Sequence, residues 1–133
     1  MQQTERNKQV VAEFLRTFGE GHFKALSEAA EIWVAGSTAV SGWYDKAHLK
    51  DSFGKFKALT AEPFVVIPTS MVAEGDKVAV EAHSKVRLRD GRTFECSYHY
   101  SFRLADGKIV QFHEYLDTAY IERFFSASPP AGS

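Results

Sequence analysis

Two Asp-Gly pairs, in "RDGR" (89–92) and "ADGK" (105–108), constrain the fold of this chain more than any other feature. Each pair lies between runs in which apolar and polar residues alternate, which is the pattern of half-buried strands. Asp-Gly is also a strong signal for a tight hairpin. The second half of the chain is therefore predicted to contain three consecutive antiparallel strands: 77–88, 92–104 and 109–116.

The first half of the chain has a helical rhythm instead. Apolar residues at helical spacing predict a helix over about 4–18, and a short second helix is predicted over about 23–30. "IWVAG" then reads as a brief strand. Asp45 is a candidate N-cap for a third helix, in which Leu49, Phe53 and Phe56 recur at i, i+4 and i+7.

Two further elements complete the predicted architecture. A strand near 64–73 has no clear alternation and is interrupted by Pro68, so its partner stays open. A terminal helix, capped by Asp117 or Thr118, is expected after the last strand. Helices followed by antiparallel strands favour an α+β fold with helices on one sheet face. One domain is expected over 1–125, with a flexible tail at 126–133 that is too small, polar and Pro-rich to pack.

The loop type at the Asp-Gly turns sets which side chains share a face. A two-residue and a three-residue loop differ by one residue in pairing, which exchanges the faces. Three-residue loops with a glycine bulge give the cleaner segregation, with Ala82 opposite Tyr98 and Tyr98 opposite Glu114. One face then collects these mostly apolar residues and tyrosines: Val78, Val80, Ala82, Ser84, Val86, Phe94, Cys96, Tyr98, Tyr100, Phe102, Val110, Phe112 and Leu116.

Glu114 is the one ionisable acid on this predicted face. A carboxyl group in an apolar pocket tends toward a raised pKa, which suits a general acid or base near neutral pH. Tyr98 and Tyr100 could donate hydrogen bonds to it or to a ligand oxygen. The alternative is that all three are satisfied locally and are only structural. Candidate pocket-lining residues, each of which could equally be ordinary core, are Phe14, Phe18, Trp33, Tyr44, Phe53, Phe56, Cys96, Phe112 and Leu116.

The opposite, polar face offers a different chemistry. The same register places Glu81, His99 and His113 in one row across three strands, and two His with one carboxylate can bind zinc or iron. Every neighbour on this face is polar, however, so a solvated or dimer-forming surface explains the row equally well. We expect no metal and no organic cofactor.

Composition excludes several other classes of function. The formal net charge is −1 and the Lys and Arg residues are scattered, which does not favour nucleic-acid binding. Cys96 is the single cysteine, which excludes an intramolecular disulfide. No apolar run is long enough to span a membrane, and "MQQTERNKQ" does not read as a signal peptide. A cytoplasmic location is therefore expected.

Four segments resemble the SnoaL-like branch of the nuclear transport factor 2-like superfamily: "GEGHFKALSE", "IWVAGSTAVSGWYDKAHL", "AEGDKVAVEAHSKV" and "FRLADGKIVQFHEYLDT". The resemblance extends from about residue 7 to 125. It implies a cone-shaped α+β barrel, with three N-terminal helices on a curved, mostly antiparallel sheet, a short C-terminal helix and an enclosed apolar pocket. It also implies a homodimer.

The resemblance also suggests a range of functions. Relatives include ketosteroid isomerases, limonene epoxide hydrolases and polyketide cyclases, besides members with no catalysis. The last-strand acid of the epoxide hydrolases matches Glu114, whereas their Arg and second Asp fall on Ala82 and Ser84. The expected function is therefore cofactor-independent proton transfer on a small hydrophobic carbonyl, steroid-like or polyketide-like molecule. The alternatives are a non-catalytic binding protein with the same pocket and a structural homodimer.

Overall fold

The computed structural model describes residues 2–126, and the predicted tail lies outside them apart from Ser126. The elements, in chain order, are α1 (Gln3–Arg16), a 3₁₀ turn (Phe18–Glu20), β1 (Leu26–Val34), β2 (Gly42–Tyr44), α2 (Lys46–Leu59), β3 (Val66–Glu74), β4 (Lys77–Arg87), β5 (Thr93–Ala105), β6 (Lys108–Leu116) and α3 (Thr118–Ser126).

The six strands form one mixed, open sheet in the order β2-β1-β6-β5-β4-β3. β1 runs parallel to β6, and the other neighbouring pairs are antiparallel. α1 packs on β3, β4 and β6, while α2 packs on β1. The predicted α+β class is therefore confirmed, with helices covering one face of a curved sheet.

The segment predicted as a second helix is wrong, because the chain is extended there from Leu26 onward. "LSEAA" contains good helix formers, but parallel pairing with β6 decides its conformation. Leu26 pairs with Ile109 and Ile32 with Phe112, so both enter the core, where each is at most 1% exposed. The burial gained from a distant strand outweighs a local helix propensity of a few tenths of a kcal/mol per residue.

Local signals predicted the bounds of the other helices and of β3 well, whereas the partner of β3 is known only from the structure. The Asp45 side chain accepts a hydrogen bond from the His48 backbone N–H at 2.7 Å and so caps α2, as predicted. Asp117 accepts one from the Tyr120 N–H at 3.0 Å at the start of α3. β3 pairs with β4 at the sheet edge, with its register shift beside Pro68, a position that tolerates a residue without an N–H.

The two Asp-Gly turns differ from each other. At the first, Leu88 donates to Arg92 across a three-residue loop and Gly91 has a φ of 93°, so Ala82 lies opposite Tyr98 as predicted. At the second, Asp106 and Gly107 both have positive φ and form a two-residue loop, which fits a type I′ turn.

A bulge then restores the faces in β6. The register shifts between Leu104, which pairs with Ile109, and Arg103, which pairs with Gln111, so Val110 is the extra residue. Ile109 is fully buried, whereas Val110, predicted to face inward, is only partly buried. The net displacement is two residues. Glu114 therefore faces inward as predicted, but its partner is Tyr100, and the predicted pairing with Tyr98 is wrong.

Candidate functional site

An apolar cavity of about 170 Å³ lies between the inner sheet face and the helices α2 and α3. Its wall is dominated by aromatic and aliphatic side chains. Among residues 2–126, Glu114 supplies the one carboxyl group on this wall. The complete lining is Phe18, Ile32, Val34, Val40, Tyr44, Leu49, Ser52, Phe53, Phe56, Phe64, Phe94, Tyr98, Tyr100, Phe112, Glu114, Leu116, Ile121 and Phe125.

Glu114 reaches this cavity because β6 lies between two apolar inner strand faces. Val34 flanks it on β1, and Tyr100 lies directly opposite it on β5. Within β6, the inward neighbours are Phe112 and Leu116. Glu114 as a residue is half-buried, and its side chain lies on the cavity wall.

Burial raises the pKa of Glu114 from its ordinary value of 4.5 to about 7, and a hydrogen bond from the Tyr100 hydroxyl opposes this rise. The cause is desolvation, because an apolar wall solvates the charged form poorly. At neutral pH both protonation states are therefore populated. Such a group can accept a proton in one step and return it in the next.

The two neighbouring tyrosines differ in their partners. Their rings are stacked, with centroids 5.3 Å apart at 13°. The Tyr98 hydroxyl shares a 2.8 Å hydrogen bond with the Ser84 hydroxyl. The Tyr100 hydroxyl instead lowers the pKa of Glu114 by hydrogen bonding. Burial raises the pKa of both phenols well above the ordinary value of 10, with the charge of Glu114 adding to the rise. Both hydroxyls therefore keep their protons at neutral pH.

Tyr44 contributes a third phenol at the edge of the cavity. Its hydroxyl donates to the Val40 carbonyl at 2.7 Å. Burial raises the pKa of this phenol, and the charge of Glu114 raises it further. The Glu114 charge thus reaches phenols on both sides of the cavity.

Three residues predicted to line the pocket lie elsewhere. Phe14 is 1% exposed and packs in the core against Phe102, at 5.8 Å between ring centroids. Cys96 is buried beside the wall, and burial, followed by the Glu114 charge, raises the pKa of its thiol to about 11. Trp33 points to the outer sheet face, where its ring lies 6.3 Å from that of Trp43.

The other predicted residues lie on the cavity wall: Phe18, Tyr44, Phe53, Phe56, Tyr98, Tyr100, Phe112, Glu114 and Leu116. Sequence reasoning missed nine more, which are Ile32, Val34, Val40, Leu49, Ser52, Phe64, Phe94, Ile121 and Phe125. Ile32 and Val34 become visible only with the parallel β1–β6 pairing. Leu49 carried a usable signal, since it belongs to the same helical stripe as Phe53 and Phe56.

Ser84 is a polar residue whose role the sequence only hinted at. It is 1% exposed and interrupts the apolar inner face of β4. Its hydrogen bond to Tyr98 explains why a hydroxyl is tolerated there. This bond holds the Tyr98 phenol in place on the cavity wall.

The row of Glu81, His99 and His113 predicted on the outer face does not form. The two-residue displacement of β6 brings Tyr115 opposite His99, and His113 opposite Ser101. No cluster of three or more His, Cys, Asp or Glu side chains with metal-binding geometry is found between residues 2 and 126.

The protein is an α+β domain in which helices cover one face of a curved sheet. Between them lies an apolar cavity whose described wall carries one acid, Glu114. The SnoaL-like domain family matches residues 11–112. The chain therefore belongs to the SnoaL-like domain family. No curated protein matches it. Within the described part of the chain, α-helices that could cross a bilayer are absent.

Solved structures with this fold include PrhC from Penicillium brasilianum, with a TM-score of 0.82, 12% identity, and coverage of 92% of this chain and 87% of PrhC. The BvnE pinacolase from Penicillium brevicompactum has a TM-score of 0.79 and 16% identity, with coverage of 92% of this chain and 93% of BvnE. TerC, co-crystallized with polyporic acid, has a TM-score of 0.74 and 18% identity, with coverage of 92% of this chain and 99% of TerC. At these identities the likeness concerns the fold alone.

Proposed function

We propose that this protein moves a proton on a small apolar carbonyl compound, without a cofactor. The observation that carries the proposal is the position of Glu114: a carboxyl group with a pKa of about 7 on the wall of an otherwise apolar and phenolic cavity. General acid-base groups work best when their pKa is close to the operating pH. Acids whose pKa is shifted in this way are also concentrated at functional sites.

The reaction has two proton transfers. The Glu114 carboxylate takes a proton from the carbon next to the carbonyl, and the electron pair of that C–H bond forms the enolate. Once Glu114 has taken the proton, its carboxylate no longer holds the Tyr100 hydroxyl, and Tyr100, or Tyr98, donates a hydrogen bond to the enolate oxygen. Such a donor stabilises the enolate more in a water-poor site. In a β,γ-unsaturated carbonyl compound this enolate is a dienolate, and the protonated Glu114 returns the proton to its γ carbon, which moves the double bond into conjugation and gives an isomer. No step calls for a metal or an organic cofactor.

Family membership supports a small-molecule role. BvnE is described as a pinacolase, and TerC was co-crystallized with polyporic acid. Apolar cavities with a few polar groups are the usual form of small-molecule sites. Hydrolysis fits less well here, because the described wall carries no cation and no second carboxyl group to activate a water molecule.

A defined test uses the isomerisation of 3-cyclohexen-1-one to the conjugated 2-cyclohexen-1-one, followed by ultraviolet absorbance. We expect Glu114→Gln to lower kcat/KM by at least a hundredfold, since an amide cannot accept the proton. Glu74→Gln, at an exposed acid on β3 that does not line the cavity, is the matched control and should leave the rate unchanged. Equal rates for Glu114→Gln and the native protein would make the acid structural.

The second candidate is a binding protein that holds such a molecule without turnover. It is favoured by the presence of a single acid on the wall, because one carboxyl group in an apolar cavity also serves as a hydrogen-bonding anchor. Ligand binding that depends on Glu114, with no exchange of ligand C–H protons for solvent deuterium, would distinguish it from the enzyme.

Self-association is a separate proposal, resting on the family resemblance. The outer sheet face carries an aromatic group of Trp33, Trp43, His113 and Tyr115, with Trp43 61% exposed. The buried Nε2 atom of His113 has no hydrogen-bond partner within the described chain. A homodimer covering this face would bury the group, and sedimentation of Trp43→Lys against the native protein tests it. The cytoplasmic location likewise stays a prediction.

A further inference from the structure

The size of the cavity limits what can bind beside Glu114. The cavity measures about 170 Å³. A buried cavity of about 150 Å³ lined by Leu, Ile and Phe is known to bind benzene. One six-membered ring with a small substituent therefore fills most of the space. A fused skeleton of four rings is larger than this space, so it could enter only if wall residues moved apart.

The wall is built to resist such displacement. Phe53 meets Phe18 at 5.1 Å between ring centroids and Phe64 at 5.7 Å. Phe56 meets Phe94 at 5.3 Å and Phe64 at 5.4 Å. Moving one of these rings disturbs the next, because core side chains interlock at the density of organic crystals. This connected group of aromatic rings thus limits how far this part of the wall can move.

The exposed part of the wall lies at one end. Val40, before β2, is 37% exposed, and Phe125, on α3, is 48% exposed. Together with Ile121 they line both the cavity and a hollow on the protein surface. A ligand that enters here passes between aliphatic and aromatic side chains, so its leading part must be compact and apolar.

We infer that the ligand of this site is a compound with a single ring that carries one oxygen substituent, such as a cyclic enone or a phenol. Fused polycyclic molecules of steroid size are excluded from the inner cavity. This inference deepens the proposed function and rests on it for the orientation of the ligand, with its oxygen toward Tyr98 and Tyr100 and the adjacent carbon beside Glu114. The size limit itself rests on the cavity volume and the packing of its wall, and not on the reaction.

A ligand series with a constant polar group tests the size limit. Phenol, 2-naphthol and 17β-estradiol carry the same aromatic hydroxyl on one, two and four rings, and their affinities are measured by titration against the backbone amide NMR signals of the full chain. We expect affinity to fall at least tenfold from phenol to estradiol. Estradiol binding as tightly as phenol would overturn the inference, and so would a failure of phenol to bind.

A wall variant provides the matched comparison. Leu49 lines the cavity from α2 and is only partly buried, whereas Leu59 is on the same helix, 49% exposed and away from the cavity. Leu49→Ala should improve the affinity for 2-naphthol relative to phenol at least fivefold, and Leu59→Ala should leave the ratio unchanged. Identical ratios in the two variants and the native protein would contradict a wall-imposed limit.

Glu114→Gln separates this inference from the proposed function. If the variant keeps the preference for one ring but loses isomerisation, both stand. If it keeps the preference and isomerises at the native rate, the proposed function fails while the size limit stands. A polycyclic preference in the native protein rejects the size limit, whatever the variant does to turnover.

Discussion

Tyr100 lies directly opposite Glu114 in the antiparallel pair β5–β6, and hydrogen bonding from its hydroxyl lowers the pKa of that carboxyl group. Two opposed effects therefore act on one acid. Desolvation raises the pKa of Glu114, and the phenol opposes the rise without cancelling it. The outcome is an acid that titrates near neutral pH inside an apolar wall.

The first prediction concerns stability and pH. The folded protein binds the Glu114 proton more tightly than the unfolded chain, whose carboxyl titrates near 4.5. The free energy of unfolding should therefore fall as pH rises from about 4.5 to about 7, and the whole loss should be present above pH 7. Its size is at most about 3 kcal/mol, less where the carboxyl group reaches water in the cavity.

Urea unfolding at pH 5 and pH 8 measures this change. Glu114→Gln should remove most of the pH dependence and gain stability relative to the native protein at pH 8. Glu122→Gln, on the exposed side of α3, should keep the native profile. A Glu114→Gln variant that loses the same stability as the native protein between the two pH values would contradict the assignment.

The second prediction isolates the Tyr100 hydroxyl. Tyr100→Phe removes the group that lowers the pKa of Glu114 and leaves the burial, so that pKa should rise above about 7. The measurement is a ¹³C NMR titration of the Glu side-chain carboxyl signals. Tyr98→Phe is the matched control, because its hydroxyl bonds to Ser84 instead. A midpoint that falls in Tyr100→Phe would show that the phenol does not stabilise the carboxylate.

The third prediction concerns the buried bond between Ser84 and Tyr98. Removing one hydroxyl leaves the other without its partner, which should cost about 1–3 kcal/mol of unfolding free energy. Ser84→Ala combined with Tyr98→Phe removes both hydroxyls, so the double variant should lose less than the two single losses together. Chemical denaturation of all four proteins completes the cycle. Additive losses would mean that the two hydroxyls are not coupled.

The sequence carried most of the sheet and the inward direction of Glu114, because alternation over long strands is a strong, local signal. The 89–92 turn was predicted correctly as a three-residue loop, which fixed Ala82 opposite Tyr98. The 105–108 turn was not, and a bulge at Val110 compensated for the difference. The shorter loop and the bulge each shift β6 by one residue, so Glu114 stays on the inner face but pairs with Tyr100 and not with Tyr98. The alternation of polar and apolar residues cannot reveal a shift of two residues.

The remaining errors have a common physical cause. The strand from Leu26, with its helix-forming composition, is held extended by a parallel partner more than eighty residues away along the chain. The positions of Ile32 and Val34 on the cavity wall follow from that same pairing. The outer placement of Trp33 follows from it as well. Long-range pairing leaves no trace in a short window of sequence.

One ¹³C NMR titration of the native protein tests the central claim most directly, by following the carboxyl signal that disappears in Glu114→Gln. We expect its midpoint to lie near pH 7 and to move when 2-cyclohexen-1-one is added, because the ligand would replace water beside the carboxyl group. A midpoint near 4.5, unchanged by the ligand, would mean that Glu114 is solvated, away from any apolar guest, and would contradict the account.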